Sequence, residues 1–109
     1  MKALLVGPDT DGLMDALEKE GVEVVPVEGT GARPALEDAG VLEADILIIT
    51  DVGLSTSIPV ARDLKEDLRV LVYSRDSVPE FVRGKAATIV DPELIAADVV
   101  AEEVAASTN

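Results

Sequence analysis

Along the chain, short apolar runs alternate with amphipathic stretches, and most changes of pattern fall on glycine or proline. Lys2–Val6 is apolar after its lysine and closes on Gly7-Pro8, which predicts a buried strand. Over Gly12–Glu20, Leu13, Ala16 and Leu17 share one face while Glu18, Lys19 and Glu20 fall off it, so a helix is predicted with Gly21 as its stop. Val22–Val27 reads as a second strand. Pro26 has no N–H to give to a ladder and assigns that strand to a sheet edge. After the turn Gly29-Thr30-Gly31, Pro34–Ala39 predicts a short helix ended by Gly40. Asp45–Thr50 contains four consecutive aliphatic residues, Ile46–Ile49, and is expected to be covered on both faces. Ser57–Leu64 reads as a helix with Ile58, Ala61 and Leu64 inward and Ser55, Thr56 or Ser57 as its cap.

Arg69–Tyr73 reads as a strand. Ser77-Val78-Pro79-Glu80 has the form of a capping box opening a short helix, anchored by Phe81 and stopped by Gly84. Ala86–Val90 is a last strand. Asp91-Pro92-Glu93 then opens a final helix with Leu94, Ala97, Ala101 and Val104 as its buried face, and Ser107–Asn109 is expected to fray. Strand and helix thus alternate five times. Connections of this kind between buried strands require parallel pairing with right-handed crossovers. The expected fold is α/β, a three-layer α/β/α sandwich with a five-stranded parallel sheet of order 2-1-3-4-5, Rossmann-like or flavodoxin-like. It forms one domain over residues 1–106, with 107–109 as a tail.

Composition narrows the chemistry. The 109 residues include no His and no Cys, which removes histidine-based triads, Cys/His zinc sites and thiol chemistry. Nine Lys+Arg against 22 Asp+Glu give a net charge of −13, so phosphates of a nucleic acid would be repelled. Tyr73 and Phe81 are the sole aromatic residues, too few for a base-stacking platform. Residues 1–20 lack the pattern of a signal peptide, and no apolar run approaches the ~18–20 residues of a membrane span. A cytoplasmic protein without membrane insertion is expected. The acidic, lysine-poor composition, with only Lys2, Lys19, Lys65 and Lys85, resembles that of proteins from salt-in halophilic archaea.

In a sheet of this order, ligands bind beyond the carboxyl ends of the strands, where strands 1 and 3 diverge. Gly7, Pro8, Asp9 and Asp11 follow the first strand, Glu28 the second, Thr50 and Asp51 the third, Ser74, Arg75 and Asp76 the fourth, and Asp91 the fifth. Gly7-Pro8-Asp9-Thr10-Asp11-Gly12 lies where a dinucleotide fingerprint G-x-G-x-x-G would lie, with Asp9 in place of the glycine that approaches pyrophosphate. Glu28 stands about 20 residues on, where an acid takes ribose hydroxyls. Gly7, Pro8, Asp9, Gly12, Glu28, Thr50, Asp51 and Arg75 are therefore the candidate cofactor-binding residues, for NAD or an adenine nucleotide. In the competing reading, Gly7 and Gly12 only permit a tight turn and close helix packing. Arg75 either contacts an anion or pairs with Asp51 or Asp76. No pair of carboxylates has an identifiable acid–base arrangement, so no catalytic residue is assigned.

Gly40-Val41-Leu42-Glu43-Ala44-Asp45 with Ile46–Ile49 and Thr50-Asp51, then Val60-Ala61-Arg62-Asp63-Leu64, Arg69-Val70-Leu71-Val72, Arg75-Asp76 and Val90-Asp91-Pro92-Glu93-Leu94, resemble the TrkA-N domain, the nucleotide-binding half of RCK regulators of potassium transport. Met1–Val27 also fits. The stretch between the second and third strands is shorter than in that family, as if one helix and one strand were deleted. The compact acidic form also resembles small haloarchaeal single-domain proteins without assigned activity. The resemblance implies a non-enzymatic regulatory domain with an altered nucleotide site and a potassium-transport context.

The topology is similar, too, to that of phosphoacceptor receiver domains. Asp51 ends the third strand, where a receiver's phosphorylated Asp lies, and Asp9 and Asp11 follow the first, where its Mg²⁺-binding acids lie. Ser74 stands where a hydroxyl is expected, whereas Asp91 stands in place of the receiver's lysine. That resemblance implies a signalling domain in which Asp9, Asp11 and Asp51 hold Mg²⁺. The alternative is that these acids cap helix N-termini. The apolar positions Val99, Val100 and Val104 of the final helix exceed what a small sheet requires and predict a homodimer or a protein partner.

Overall fold

Burial on both faces, expected of Ile46–Ile49, is what the computed structural model contains: these four side chains are at most 2% exposed and form the central strand of a five-stranded sheet. The structure describes residues 1–9, 11–78, 80–83 and 87–106. Pro79 of the predicted capping box, the Gly84 stop, Ala86, the Phe81 side chain and the Ser107–Asn109 tail lie outside what is described.

The elements in chain order are β1 (Lys2–Val6), α1 (Leu13–Lys19), β2 (Glu23–Val27), α2 (Arg33–Ala39), β3 (Ile46–Ile49), α3 (Ser57–Leu64), β4 (Arg69–Tyr73), α4 (Glu80–Arg83), β5 (Thr88–Val90) and α5 (Ala97–Ala106). All strand pairs are parallel, in the order β2-β1-β3-β4-β5, as the sequence predicts. Pro26 sits on the edge strand β2, opposite Leu5 and exposed, where its missing N–H leaves no ladder position empty.

The two-residue period of the strands divides the core into two layers. Leu4, Val6, Leu47, Ile49, Val70 and Val72 meet Leu36 of α2, Ile58 and Ala61 of α3 and Val82 of α4. On the other face Ala3, Leu5, Ile46, Ile48, Leu71 and Tyr73 meet Leu13 and Leu17 of α1 and Val100, Ala101 and Val104 of α5. Each fully buried Leu or Ile contributes about 1.5–3 kcal/mol of apolar transfer, which is why the β3 sequence organises both layers.

Two local expectations are corrected. The final helix starts at Ala97 rather than at Asp91-Pro92, and Leu94 is 82% exposed instead of buried. The N–H groups of Leu94 and Ile95 close back on the Asp91 carbonyl at 2.9 and 3.1 Å, and the Asp91 carboxylate accepts from Glu93 N–H at 2.8 Å. This isolated turn ends before Ala96, whose carbonyl accepts the first bonds of α5 from Val99 and Val100. Secondly, no side chain caps α3. Thr56 occupies the cap position without a side-chain bond, Ser57 Oγ donates to the Leu54 carbonyl at 2.9 Å, and Ser55 Oγ is buried without a partner. A short 3-10 turn, Val52–Leu54, precedes the helix: the Ser55 N–H donates to the Val52 carbonyl, and the Leu54 carbonyl takes the Ser57 hydroxyl. Among the described residues no helix is long and apolar enough to cross a membrane.

Candidate functional site

The carboxyl ends of the strands bring several predicted residues together, and contact begins at Gly7. Its φ of +112° lies outside the range that L side chains adopt readily, and a Cβ there would sit 2.4 Å from Thr50 Oγ1 and 3.0 Å from Asp51 N. Glycine therefore lets the end of β1 lie directly on the end of β3. Thr50 completes this seam, its N–H donating to the Val6 carbonyl at 3.0 Å and its hydroxyl to the same oxygen at 3.4 Å. Gly12 differs. Its φ is +75° at the cap position of α1, but a Cβ there would meet nothing within 4 Å. It serves the turn, not close helix packing.

The acids of the crevice are engaged locally. Asp9 Oδ1 accepts from Met14 N–H at 3.2 Å, in the first turn of α1. A carboxylate thus takes a helix N–H that an anionic ligand would otherwise use. Asp51 Oδ1 accepts from Gly53 N–H at 2.9 Å and caps the turn after β3. Ser74 Oγ accepts from Asp76 N–H at 3.2 Å, and Asp91 caps its own turn as described. Of the acids expected to cap helix N-termini, Asp9 bonds into the start of α1, whereas Asp51 and Asp91 cap short turns and Asp11 pairs with Arg75.

Arg75 ties three loops together. Its Nη1 and Nη2 donate to the two carboxylate oxygens of Asp11 at 3.2 and 2.9 Å, and its Nε donates to Glu93 Oε1 at 2.6 Å. The sequence offered Asp51 or Asp76 as its partner. The structure instead uses Asp11, from the β1–α1 loop, and Glu93, from the turn after β5. The hydrogen bonds that Arg75 donates to Asp11, then to Glu93, push the already high guanidinium pKa upward, so the clamp keeps its charge. Glu93 was missed because it lies 18 residues from Arg75 in sequence. The one signal for it is the strand order, which sets the ends of β4 and β5 side by side.

Beneath the clamp, Tyr73 is 2% exposed and its hydroxyl donates to the Ile95 carbonyl at 3.1 Å. Burial pushes the phenol pKa up, and the nearby Asp11 adds to the effect. Glu28 and Pro8 are exposed, and Glu28, which follows the edge strand β2, joins neither the Gly7–Thr50 seam nor the Arg75 clamp. Asp9, Asp11 and Asp51 are not gathered into a ligand set: no group of three acids among the described residues is arranged to hold a metal ion. A cavity of about 870 Å³ opens elsewhere, between α5 and strands β4 and β5.

Comparison with known proteins agrees with the topology. HP1043, an orphan response regulator of H. pylori, superposes with a TM-score of 0.70 at 16% identity, covering 97% of this chain and 94% of that one. The pseudo-receiver domain of the CikA protein superposes with a TM-score of 0.64 at 15% identity, covering 99% and 98%. At such identities the likeness establishes the fold, which is flavodoxin-like and shared with receiver domains. No curated protein matches the chain in sequence. Residues 3–104 match the model of a family of unknown function, DUF7126, and the chain belongs to that family.

These findings correct the resemblance to the TrkA-N domain of RCK regulators, and with it the nucleotide-binding assignment drawn from that family. The runs that carried it are an apolar strand closed by an acid and followed by an amphipathic helix, a pattern common to doubly wound sheets. The short stretch between β2 and β3 is a complete connection in the observed order, not a deletion.

Proposed function

We propose that this DUF7126 member is a receiver-like, non-catalytic signalling domain that works through protein contacts and does not accept a phosphoryl group in its crevice. The observation that carries the reading is the Arg75 clamp: both oxygens of Asp11, an acid a receiver would turn to Mg²⁺, already accept from Arg75. Two further features support it. Asp51 directs Oδ1 to Gly53 N–H, and Asp91 stands where a receiver's lysine would neutralise the phosphoryl oxygens. A phosphoryl group on Asp51 would add charge to a crevice already holding Asp9, Asp11, Asp91 and Glu93, with Arg75 already bonded to two of these acids.

The test is incubation with acetyl phosphate and Mg²⁺ followed by intact-mass measurement. The expected result is an unchanged mass. A gain of one phosphoryl group that disappears in Asp51→Asn would overturn the reading.

A further inference from the structure

The cavity between α5 and strands β4 and β5 lies outside the crevice. Its floor is formed by Leu71, Val100 and Val104, each at most 5% exposed, and by half-buried Val90. Its rim carries Ile95 and Val99, 40% and 45% exposed. Val99 lies on α5 and Ile95 in the turn that precedes it, so the exposed apolar rim sits at the N-terminal end of that helix, above the buried Val100 and Val104. β5 has a neighbour only on its β4 side, so the sheet ends beside the groove.

Charge indicates the occupant. Glu66, Asp67 and Glu103 stand exposed on the rim, and Asp98 and Glu102 are exposed on the same helix. Among the described residues none of the three ion pairs involves these five acids. The two arginines at the groove are already engaged: Arg62 Nε donates to the Leu68 carbonyl at 3.2 Å, and Arg69 also has a partner. The chain as a whole carries −13. A second copy seated here would bring like charges together, whereas a cationic partner gains both at close range and in its approach.

We infer that the groove between α5 and β4–β5 receives a short amphipathic helix of a partner protein, apolar on one face and flanked by Lys and Arg. The inference rests on the interaction-domain reading above and names its surface and the class of partner. The apolar face of the incoming helix lies on Val99, Ile95 and the floor, and its basic flanks face Glu66, Asp67 and Glu103.

The test is fluorescence anisotropy with a labelled Leu/Lys peptide of about four helical turns. A scrambled peptide of the same composition and a Leu/Glu peptide of the same spacing are the controls. The wild-type chain is expected to bind the patterned Leu/Lys peptide, more weakly as salt rises, and neither control. Val99→Ser and Ile95→Ser, exposed positions whose folding is checked by thermal melts, are each expected to weaken binding about tenfold, the loss of one apolar contact. Glu103→Lys is expected to weaken it several-fold and to flatten the salt dependence. Equal binding of the scrambled peptide, unchanged affinity in both serine variants, or absence of binding would overturn the inference. So would a wild-type dimer, seen by sedimentation, that Val99→Ser dissolves. Phosphoryl transfer does not involve this groove, so failure here leaves the acetyl phosphate result standing, and the reverse.

Discussion

Replacing Gly7 with alanine separates a structural glycine from a ligand-binding one. At φ +112° an L side chain is strained, which costs on the order of 1–3 kcal/mol. The new Cβ would also lie 2.4 Å from Thr50 Oγ1 and 3.0 Å from Asp51 N. Such overpacking costs roughly 1–3 kcal/mol more, because Asp51 N is backbone and directly follows Thr50, whose N–H is bonded to the Val6 carbonyl. The sum is about 4 kcal/mol, a large part of the roughly 5–15 kcal/mol by which small domains are stable. Gly12→Ala is the internal control. Its φ of +75° carries strain, but nothing lies within 4 Å of the new atom, so the expected loss is only about 1 kcal/mol. The difference of about 3 kcal/mol corresponds to roughly 10–20 °C in Tm for a domain near this size. Urea unfolding of both variants measures it, with ΔG taken by linear extrapolation. Adding Thr50→Ala to Gly7→Ala should restore part of the loss, since the nearest neighbour goes while Asp51 N remains. Equal losses at the two glycines would refute the argument, because the seam between β1 and β3 would then not depend on glycine.

The clamp and the buried phenol give further predictions. Arg75→Ala should lower Tm more at low salt than at high salt. In double-mutant cycles Asp11 should couple to Arg75 more strongly than Glu93 does, because Asp11 makes two hydrogen bonds and its side chain is 25% exposed against 68%. Tyr73 has its pKa raised by burial and by Asp11, so the folded state holds the proton more tightly than the unfolded state. Its contribution to stability is therefore complete below the ordinary value of about 10 and is lost as pH rises past it. Because the chain has one tyrosine, tyrosinate absorbance follows that group alone, and Tyr73→Phe should flatten the fall in stability above pH 10.

The fold is legible in the sequence because its determinants are local and repeated. Ile46–Ile49 could only be a strand covered on both sides, Pro26 could only sit at an edge, and together they order the sheet. The start of α5 was misread because Asp91-Pro92-Glu93 satisfies the same local rules in an isolated turn as in a helix, and only the Ala96 carbonyl distinguishes them. The candidate site was half legible. Its residues follow from the strand ends, but their pairing does not, since Arg75, Asp11 and Glu93 come from three loops whose side-chain reach no spacing encodes. The TrkA-N reading failed for a related reason: local strand–helix patterns are shared among doubly wound folds, whereas family membership is carried by the chain as a whole. The expected surplus of valines on the last helix is not what the structure shows: Val100 and Val104 are buried against the sheet, and only Val99 of the three stands exposed, at the rim of the groove.

The central claim is that the crevice is closed to a phosphoryl group by its own hydrogen bonds. The most direct measurement is an amide NMR titration with Mg²⁺ and beryllofluoride, a phosphoryl mimic, following Gly7, Thr50, Asp51 and Gly53. The account predicts that these amides stay in place, with Asp51 still bonded to Gly53 N–H and Asp11 to Arg75. Saturable shifts at Asp51 and Gly53 that require both reagents and vanish in Asp51→Asn would contradict it.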